Sequence, residues 1–87
     1  MLEIRINKSK AKIGKILVKE GDLVSSGDAI MSIEVGKAQV IIGSNFTGKI
    51  LSVNKKVGDV INPHDIVFTV EGKVTRKVKD IIIYYRD

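Results

Sequence analysis

The sequence predicts an all-β fold, and three observations support that prediction. Short alternations of apolar and polar residues recur along the 87-residue chain, and Gly, Asp, Asn and Ser separate them. Val and Ile dominate the apolar residues while aromatic residues make up only 5%, and β-branched side chains favour strands. No stretch carries an apolar stripe at helical spacing that is long enough to predict a helix.

Six strands are predicted from the alternation. In chain order they cover residues 2–6, 13–17, 30–32, 40–42, 50–53 and 66–70. The segments between them contain turn formers, because Gly accepts a positive φ and Asp or Asn bonds to nearby backbone. The predicted turns lie at residues 21–22, 25–28, 43–45, 58–59 and 62–64. Turns spaced 8–12 residues apart are typical of a small sandwich or barrel.

An internal repeat predicts that the fold is pseudo-symmetric. Gly-Lys-Ile-Leu occurs at residues 14–17 and again at 48–51, and Gly-Asp comes after each copy, at 21–22 and 58–59. Each half then ends in an apolar residue, Glu, and a nearby Gly-Lys pair. A duplicated half-domain of this size favours a small, pseudo-symmetric β fold.

The two copies differ in the residues that come after their Gly-Lys pair. After Gly36-Lys37 the chain continues into Ala38 and an apolar run, so we predict a hairpin in which the strand ending at Glu34 pairs with residues 40–42. By symmetry, the strand ending at Glu71 should pair with residues 2–6. Lys37 is therefore the candidate functional residue, because it is expected at an exposed hairpin tip.

Composition and charge exclude several function classes. The net charge of +5 is concentrated at the ends, since residues 1–12 and 73–87 each carry +3 whereas residues 13–72 carry six lysines against seven acidic residues. A nucleic-acid partner is not expected, because a basic face with stacking aromatics is missing. We expect no membrane partner and no secretion signal, and the lack of Cys fits a cytoplasmic location.

At residues 34–38, Glu-Val-Gly-Lys-Ala, the chain resembles the biotinyl/lipoyl attachment domain family, and the resemblance covers roughly residues 13–72. It also includes Gly21-Asp22 sixteen residues before Lys37 and Gly48 eleven residues after it. The resemblance implies a flattened barrel, or sandwich, of two small antiparallel sheets related by a pseudo-twofold axis, also called a barrel-sandwich hybrid or hammerhead. It further implies that Lys37 carries a prosthetic group through an amide, with Glu34, Gly36, Ala38 and Gly48 in recognition or positioning roles.

The neighbours of Lys37 resemble those of lipoyl domains more than those of biotinyl domains. No methionine flanks Lys37, whereas Glu34 occupies the acidic position three residues before it. The resemblance therefore implies covalent lipoic acid on Lys37, with biotin as the alternative. Implied partners are a lipoate ligase or lipoyl transferase and the dehydrogenase components of a 2-oxoacid dehydrogenase complex, or a carboxylase or decarboxylase in the biotin alternative.

No catalytic residue or metal site is predicted in the chain, so the implied role is that of a non-catalytic carrier. A third alternative is an unmodified hammerhead that acts as a binding or assembly module. We predict a domain over residues 1–72 and a basic C-terminal extension over residues 73–87. The extension contains the apolar run 81–85, which suggests an added strand, or a pairing surface through which residues 74–87 form a homo-oligomer. Phe46 and Phe68 are expected in the core.

Overall fold

The computed structural model describes residues 1–77 and 81–85, with residues 82–85 described by their backbone pairing alone. Within these ranges all regular structure is β, which confirms the predicted fold class. The strands are β1 (Leu2–Ile6), β2 (Ala11–Ile16), β3 (Leu23–Val24), β4 (Ala29–Val35), β5 (Ala38–Gly43), β6 (Phe46–Val53), β7 (Val60–Ile61), β8 (Phe68–Val74) and β9 (Ile81–Tyr85). The described part of the chain holds no helix that could cross a membrane.

The strand order confirms the pseudo-symmetry that the repeat predicts and the two antiparallel sheets that the resemblance implies. One sheet has the order β3-β6-β8-β1-β9 and the other, read from β7, has the order β7-β2-β4-β5. The repeat aligns β6 with β2, so β3, β6, β8 and β1 are the counterparts of β7, β2, β4 and β5. All pairings are antiparallel. Strand β9 is an addition to one sheet, and β5 carries no corresponding strand among the described residues.

Both pairings that the symmetry predicts are present. Strands β4 and β5 form a hairpin in which Ile33 is opposite Val40. Strand β8 pairs with the N-terminal strand β1, with Val70 opposite Leu2. The half-domains therefore share one plan, although one of the two pairs is a continuous hairpin and the other joins distant parts of the chain.

The shortest strands lie outside the six that the sequence predicts. Strands β3 and β7 have two residues each, and both lie in segments where turn chemistry dominates. Two residues are too few for an alternation of apolar and polar side chains to be recognised. Strand β8 begins at Phe68, two residues after the predicted start at residue 66.

The predicted extension 73–87 is divided among several parts of the structure. Lys73 and Val74 belong to β8, and Ile81–Tyr85 forms β9, which lies antiparallel to β1. Residues 78–80 and 86–87 lie outside the described residues. The proposed domain boundary at residue 72 stays a prediction.

A single core fills the space between the two sheets. The two phenylalanines, Phe46 and Phe68, are fully buried, as predicted. The other buried apolar residues are Leu2, Ile4, Ile6, Ala11, Ile13, Val24, Ile30, Met31, Ile33, Ile42, Ile50, Ile61, Val67, Val70 and Ile81. Because Val and Ile make up most of this set, the core is built largely from β-branched side chains on facing strands.

Four turns of one design connect the short and long strands. In each turn, the side-chain carboxylate of the Asp at the fourth position accepts a hydrogen bond from the backbone N–H of the first residue. The backbone N–H of the same Asp donates to the carbonyl oxygen of that first residue. The turns cover residues 19–22, 25–28, 56–59 and 62–65. In the first three, a glycine with φ near +92° holds the third position, which confirms the predicted turn chemistry.

The fourth turn makes a pH prediction. The N–H of Asn62 and the nearby Lys55 ammonium lower the pKa of Asp65 below its usual range. Ionised Asp65 should therefore stabilise the fold fully above the unfolded-state pKa of about 3.9, and this contribution should disappear as the pH falls through the lower folded-state pKa. NMR titration of the Asp65 carboxyl should give a pKa below the usual value. Lys55→Gln should raise this pKa only partly, because the hydrogen bond from the Asn62 N–H remains. A pKa at or above 3.9 would contradict this account.

Candidate functional site

The β4–β5 hairpin has a loop of two residues. Val35 is opposite Ala38, so only Gly36 and Lys37 lie between the strands. Gly36 has a φ of +62°, whereas Lys37 is not among the residues with positive φ. Glycine with positive φ at the first loop position is the pattern of a type II′ turn, whose twist matches that of the flanking strands. The sequence Gly-Lys therefore fixes the order in which the chain turns and then presents a side chain.

Substitution of Gly36 tests this turn. A Cβ at Gly36 would meet no atom within 4 Å, so Gly36→Ala introduces backbone strain without a clash. We expect a loss of about 1–2 kcal/mol in the free energy of unfolding, measured by urea denaturation. Gly36→Asn should lose less, since Asn is favoured along with Gly at the positive-φ positions of hairpin turns. An alanine variant as stable as the wild type would show that the turn does not need this conformation.

The lysine at the tip is exposed to solvent. Lys37 and its neighbour Ala38 are exposed, and Val35 before the turn is 36% exposed. Within the described residues, the Lys37 side chain makes no hydrogen bond or ion pair. An exposed primary amine on a rigid turn is accessible to an enzyme that forms an amide, and the small Ala38 side chain leaves its approach unobstructed.

Glu34 is placed on the outer face of the same hairpin, near the tip. It is exposed at the end of β4, with Gln39 of β5 opposite it on one side and Lys12 of β2 on the other. Behind it, the Gln39 side-chain amide donates to the Ser32 hydroxyl at 3.2 Å, joining β5 to β4. The structure thus brings Glu34, Gly36, Lys37 and Ala38 together on one short element.

Three residues beside Glu34 were not predicted from the sequence. They are Lys12, Ser32 and Gln39, and their positions depend on cross-strand register. The register between β2 and β4 shifts between Ile13 and Lys15, so simple strand alignment does not give it. The only sequence signal at this point is Gly14. A Cβ added to Gly14 would lie 3.0 Å from the Ser32 Oγ, so glycine leaves room for that hydroxyl.

Gly48, predicted to act in recognition or positioning, lies in the other sheet. It is on β6, where it is opposite Val24 on one side and Gly72 on the other. A Cβ at Gly48 would lie only 2.8 Å from the Gly72 Cα and closer still to the Glu71 carbonyl oxygen. The structural reason for glycine at this position is therefore the close approach of β6 and β8.

The second Gly-Lys pair has a different conformation from the first. Gly72 and Lys73 lie inside β8, where they are opposite Gly48 and Thr47, and the chain does not turn there. Lys73 is exposed, but it is part of a continuous strand. Lys37 therefore lies at a closed tip, as predicted, whereas the chain continues as a strand at Lys73.

Other kinds of chemistry have little support in the described residues. No group of three or more His, Cys, Asp or Glu side chains within them could hold a metal ion. The chain's single histidine, His64, is exposed in a turn, and the chain contains no cysteine. The hairpin is therefore the site that the geometry favours.

Comparison with known proteins identifies the family. The biotin/lipoyl family described as "Biotin-requiring enzyme" matches residues 5–70. The chain is 35% identical over 65 residues to the dihydrolipoyllysine-residue acetyltransferase component of the pyruvate dehydrogenase complex of Pseudomonas aeruginosa, a match that covers 72% of the chain and 12% of that protein. It is 30% identical over 57 residues to the biotinylated protein TB7.3 homolog of Mycobacterium leprae, a match that covers 66% of the chain and 80% of that protein.

A third relative is a much larger protein. The urea amidolyase of Saccharomyces cerevisiae is 30% identical over 69 residues, and the match covers 79% of the chain but only 4% of that protein. The chain thus corresponds to a small part of the amidolyase and the acetyltransferase. The family match covers most of the chain, and the relatives include both lipoyl and biotin carriers. The chain belongs to the biotinyl/lipoyl attachment domain family.

Proposed function

We propose that this chain is a lipoyl carrier domain with Lys37 as its attachment residue. The observation that carries the proposal is the exposed Lys37 at the second position of a two-residue hairpin, with Glu34 three residues before it and Ala38 directly after it. The family supplies the class of function, which is covalent attachment of a cofactor to a carrier. The residues present fit such a group, because the amine is accessible and has no competing partner within the described residues.

The work of the protein in this proposal is presentation. A lipoyl group held on Lys37 would supply acyl transfer and thiol–disulfide chemistry. The chain itself contributes a tip that turns sharply at Gly36 and two strands that hold this tip rigid. Tethering on such a tip raises the effective concentration of the arm at the active sites of partner enzymes. The chain needs no catalytic group of its own, and we propose that it is non-catalytic.

The choice of lipoate over biotin is supported by the side chains around Lys37. The acidic Glu34 is exposed beside the tip, and no methionine is adjacent to the lysine. Under this proposal the partners are a lipoate ligase or lipoyl transferase and dehydrogenase components like those that work with the acetyltransferase relative. These components would dock at the hairpin and its flanking exposed residues.

A biotin carrier is the second candidate, and one observation favours it. The chain matches 80% of the length of a small biotinylated protein, whereas it matches only 12% of the acetyltransferase. In this case Lys37 would be the target of a biotin ligase, and the parent enzyme would be a carboxylase or decarboxylase. The hairpin geometry suits either cofactor.

Parallel reactions with the two ligases distinguish the candidates. The purified chain is incubated with lipoate ligase, lipoate and MgATP, or with biotin ligase, biotin and MgATP, and the intact mass is followed over time. We expect a single lipoyl adduct, and biotinylation that is slower by a factor on the order of 100 or more at equal ligase concentrations. Faster biotinylation would replace the lipoyl proposal with the biotin one. An absence of both adducts would favour the unmodified binding module.

A further inference from the structure

Strand β5, the second strand of the hairpin that carries Lys37, is a long sheet edge. Each sheet has two edge strands. One edge of the five-stranded sheet is β3 and one edge of the four-stranded sheet is β7, and each of these strands has only two residues. On the other side the five-stranded sheet ends in β9 and the four-stranded sheet ends in β5. Strand β5 has six residues and pairs only with β4 among the described residues. Short edges resist pairing with other chains, whereas long ones favour it.

The internal symmetry shows that the equivalent edge is already covered. The counterpart of β5 is β1, and the outer side of β1 is paired along its full length with β9. Ile41 is opposite Ser32 of β4, and Glu3 is opposite Thr69 of β8. Ser32 and Thr69 are equivalent in the repeat, so Ile41 corresponds to Glu3. Ile41 is 68% exposed, whereas Glu3 is only 6% exposed. The fold therefore accepts an added strand at this position, and among the described residues one of its two equivalent positions has no added strand.

The backbone of β5 alternates between groups bonded to β4 and groups that point outward. In a two-residue hairpin, the residues that flank the loop form a hydrogen-bonded pair, so Ala38 and then Val40 and Ile42 bond to β4. The N–H and C=O groups of Gln39 and Ile41 consequently point away from the sheet. These two residues offer two donors and two acceptors to a neighbouring strand.

The side chains of β5 do not protect this edge. Natural edge strands are usually blocked by Lys or other charges, by Pro, or by bulges that turn the edge away. The β5 sequence, Ala-Gln-Val-Ile-Ile-Gly, contains no charged residue and no proline. The one register shift in the β4–β5 pair lies between Ala29 and Met31, so the extra residue is on β4 and not on the edge strand. The three residues in the middle of the strand, 40–42, are all β-branched and favour the extended conformation.

We propose that β5 pairs with β5 of a second copy of this chain, forming an antiparallel dimer with a continuous eight-stranded sheet. The strand is complementary to itself about a twofold axis through Val40. In that register, Gln39 of each copy is opposite Ile41 of the other. The twofold axis therefore creates two such pairs, and both are of the hydrogen-bonded type. All four outward backbone groups of each strand are then satisfied. An uncharged strand offers no charge contact to an acidic or basic peptide, which favours a second copy as the occupant.

The dimer should be weak and should depend on salt in a characteristic way. An edge contact of this length is well below the area of a standard interface, so we expect a dissociation constant on the order of 10⁻⁴ M. Each copy carries a net charge of +5, and the contact contains no ion pair. Association should therefore strengthen about 3-fold or more as ionic strength rises from about 0.05 to 0.5 M, since salt screens the repulsion. An interface held by ion pairs would weaken instead.

Sedimentation velocity of the unmodified full chain from 10 μM to 1 mM tests the proposal, with Ile41→Lys as the disrupting variant. Leu23→Lys is the matched control, because Leu23 is 82% exposed on another edge strand. We expect the wild type and Leu23→Lys to dimerise and Ile41→Lys to weaken association at least 10-fold. Thermal denaturation checks that both variants are folded. A wild type that stays monomeric at 1 mM, or a dimer that Ile41→Lys leaves intact, would overturn the proposal.

Amide hydrogen exchange supplies a second, residue-specific readout. Between 10 μM and 1 mM, the amides of Gln39 and Ile41 should gain protection, whereas Val40 is already protected by β4. Gln39→Pro removes one outward N–H that β4 does not use and should abolish the gain at Ile41. Uniform protection along β5, or protection that arises only on β9, would contradict pairing through this edge. These measurements do not depend on modification of Lys37, so they stand apart from the proposed function.

Discussion

Gly48→Ala is expected to lower the free energy of unfolding by about 3 kcal/mol or more. The added Cβ would lie 2.8 Å from the Gly72 Cα and would overlap the Glu71 carbonyl oxygen. Both neighbours are backbone atoms of β8, so no side-chain rotation can relieve the overlap, and the two strands must separate. A domain of this size has a total stability of roughly 4–13 kcal/mol, and the variant should lose a large share of it.

Gly43→Ala is the matched control for this prediction. A Cβ at Gly43 would be 3.5 Å from the nearest atom, the Gly27 carbonyl oxygen, which is an ordinary contact. Gly43 also does not have a positive φ, so alanine should change stability by less than about 1 kcal/mol and can even be favourable. Urea denaturation of both variants measures the difference. Equal stabilities would show that β6 and β8 do not approach each other closely at Gly48.

Lys37→Arg is expected to remove all covalent modification by the cognate ligase, while Lys73→Arg should leave it unchanged. Both substitutions keep the positive charge, and both residues come directly after a glycine in equivalent parts of the repeat. The difference lies in conformation, because Lys37 is at a two-residue turn whereas Lys73 lies inside β8. A guanidinium cannot replace the primary amine as the acyl acceptor, so the expected change is from full modification to none.

Intact mass spectrometry after incubation with the ligase gives a simple outcome for each variant. Loss of the adduct in Lys73→Arg would mean that the second Gly-Lys pair is recognised, contrary to its place in a strand. An adduct that remains in Lys37→Arg would mean that another of the chain's lysines is the acceptor. Near-ultraviolet and far-ultraviolet circular dichroism confirm that each variant retains the wild-type fold.

The repeat made much of the fold predictable, because it carried information about long-range pairing. The equivalence of Glu34 and Glu71 predicted that the strand ending at residue 71 pairs with residues 2–6, and β8 does pair with β1. The turns were predictable because Gly and Asp act through local backbone chemistry. The hairpin around Lys37 was predictable for the same reason, since all of its members are adjacent in the sequence.

The features that escaped prediction depend on contacts between distant residues. Strands β3 and β7 exist only because a neighbouring long strand offers hydrogen bonds. The close approach that explains Gly48 requires Gly72 to be directly opposite it, which sequence alone does not reveal. Ser44, predicted as part of a turn, is fully buried, and its hydroxyl bonds to the Ser25 and Phe46 carbonyls where the chain crosses between sheets.

Under the proposed function, Lys37 carries a lipoyl group. The most direct measurement is tandem mass spectrometry of the full chain expressed in cells that make both lipoate and biotin and both ligases. Peptide mapping then reports the identity of the adduct and its position in one experiment. We expect a lipoyl group on Lys37 and unmodified lysine at every other position. Biotin on Lys37, or a lipoyl group on a different lysine, would contradict it.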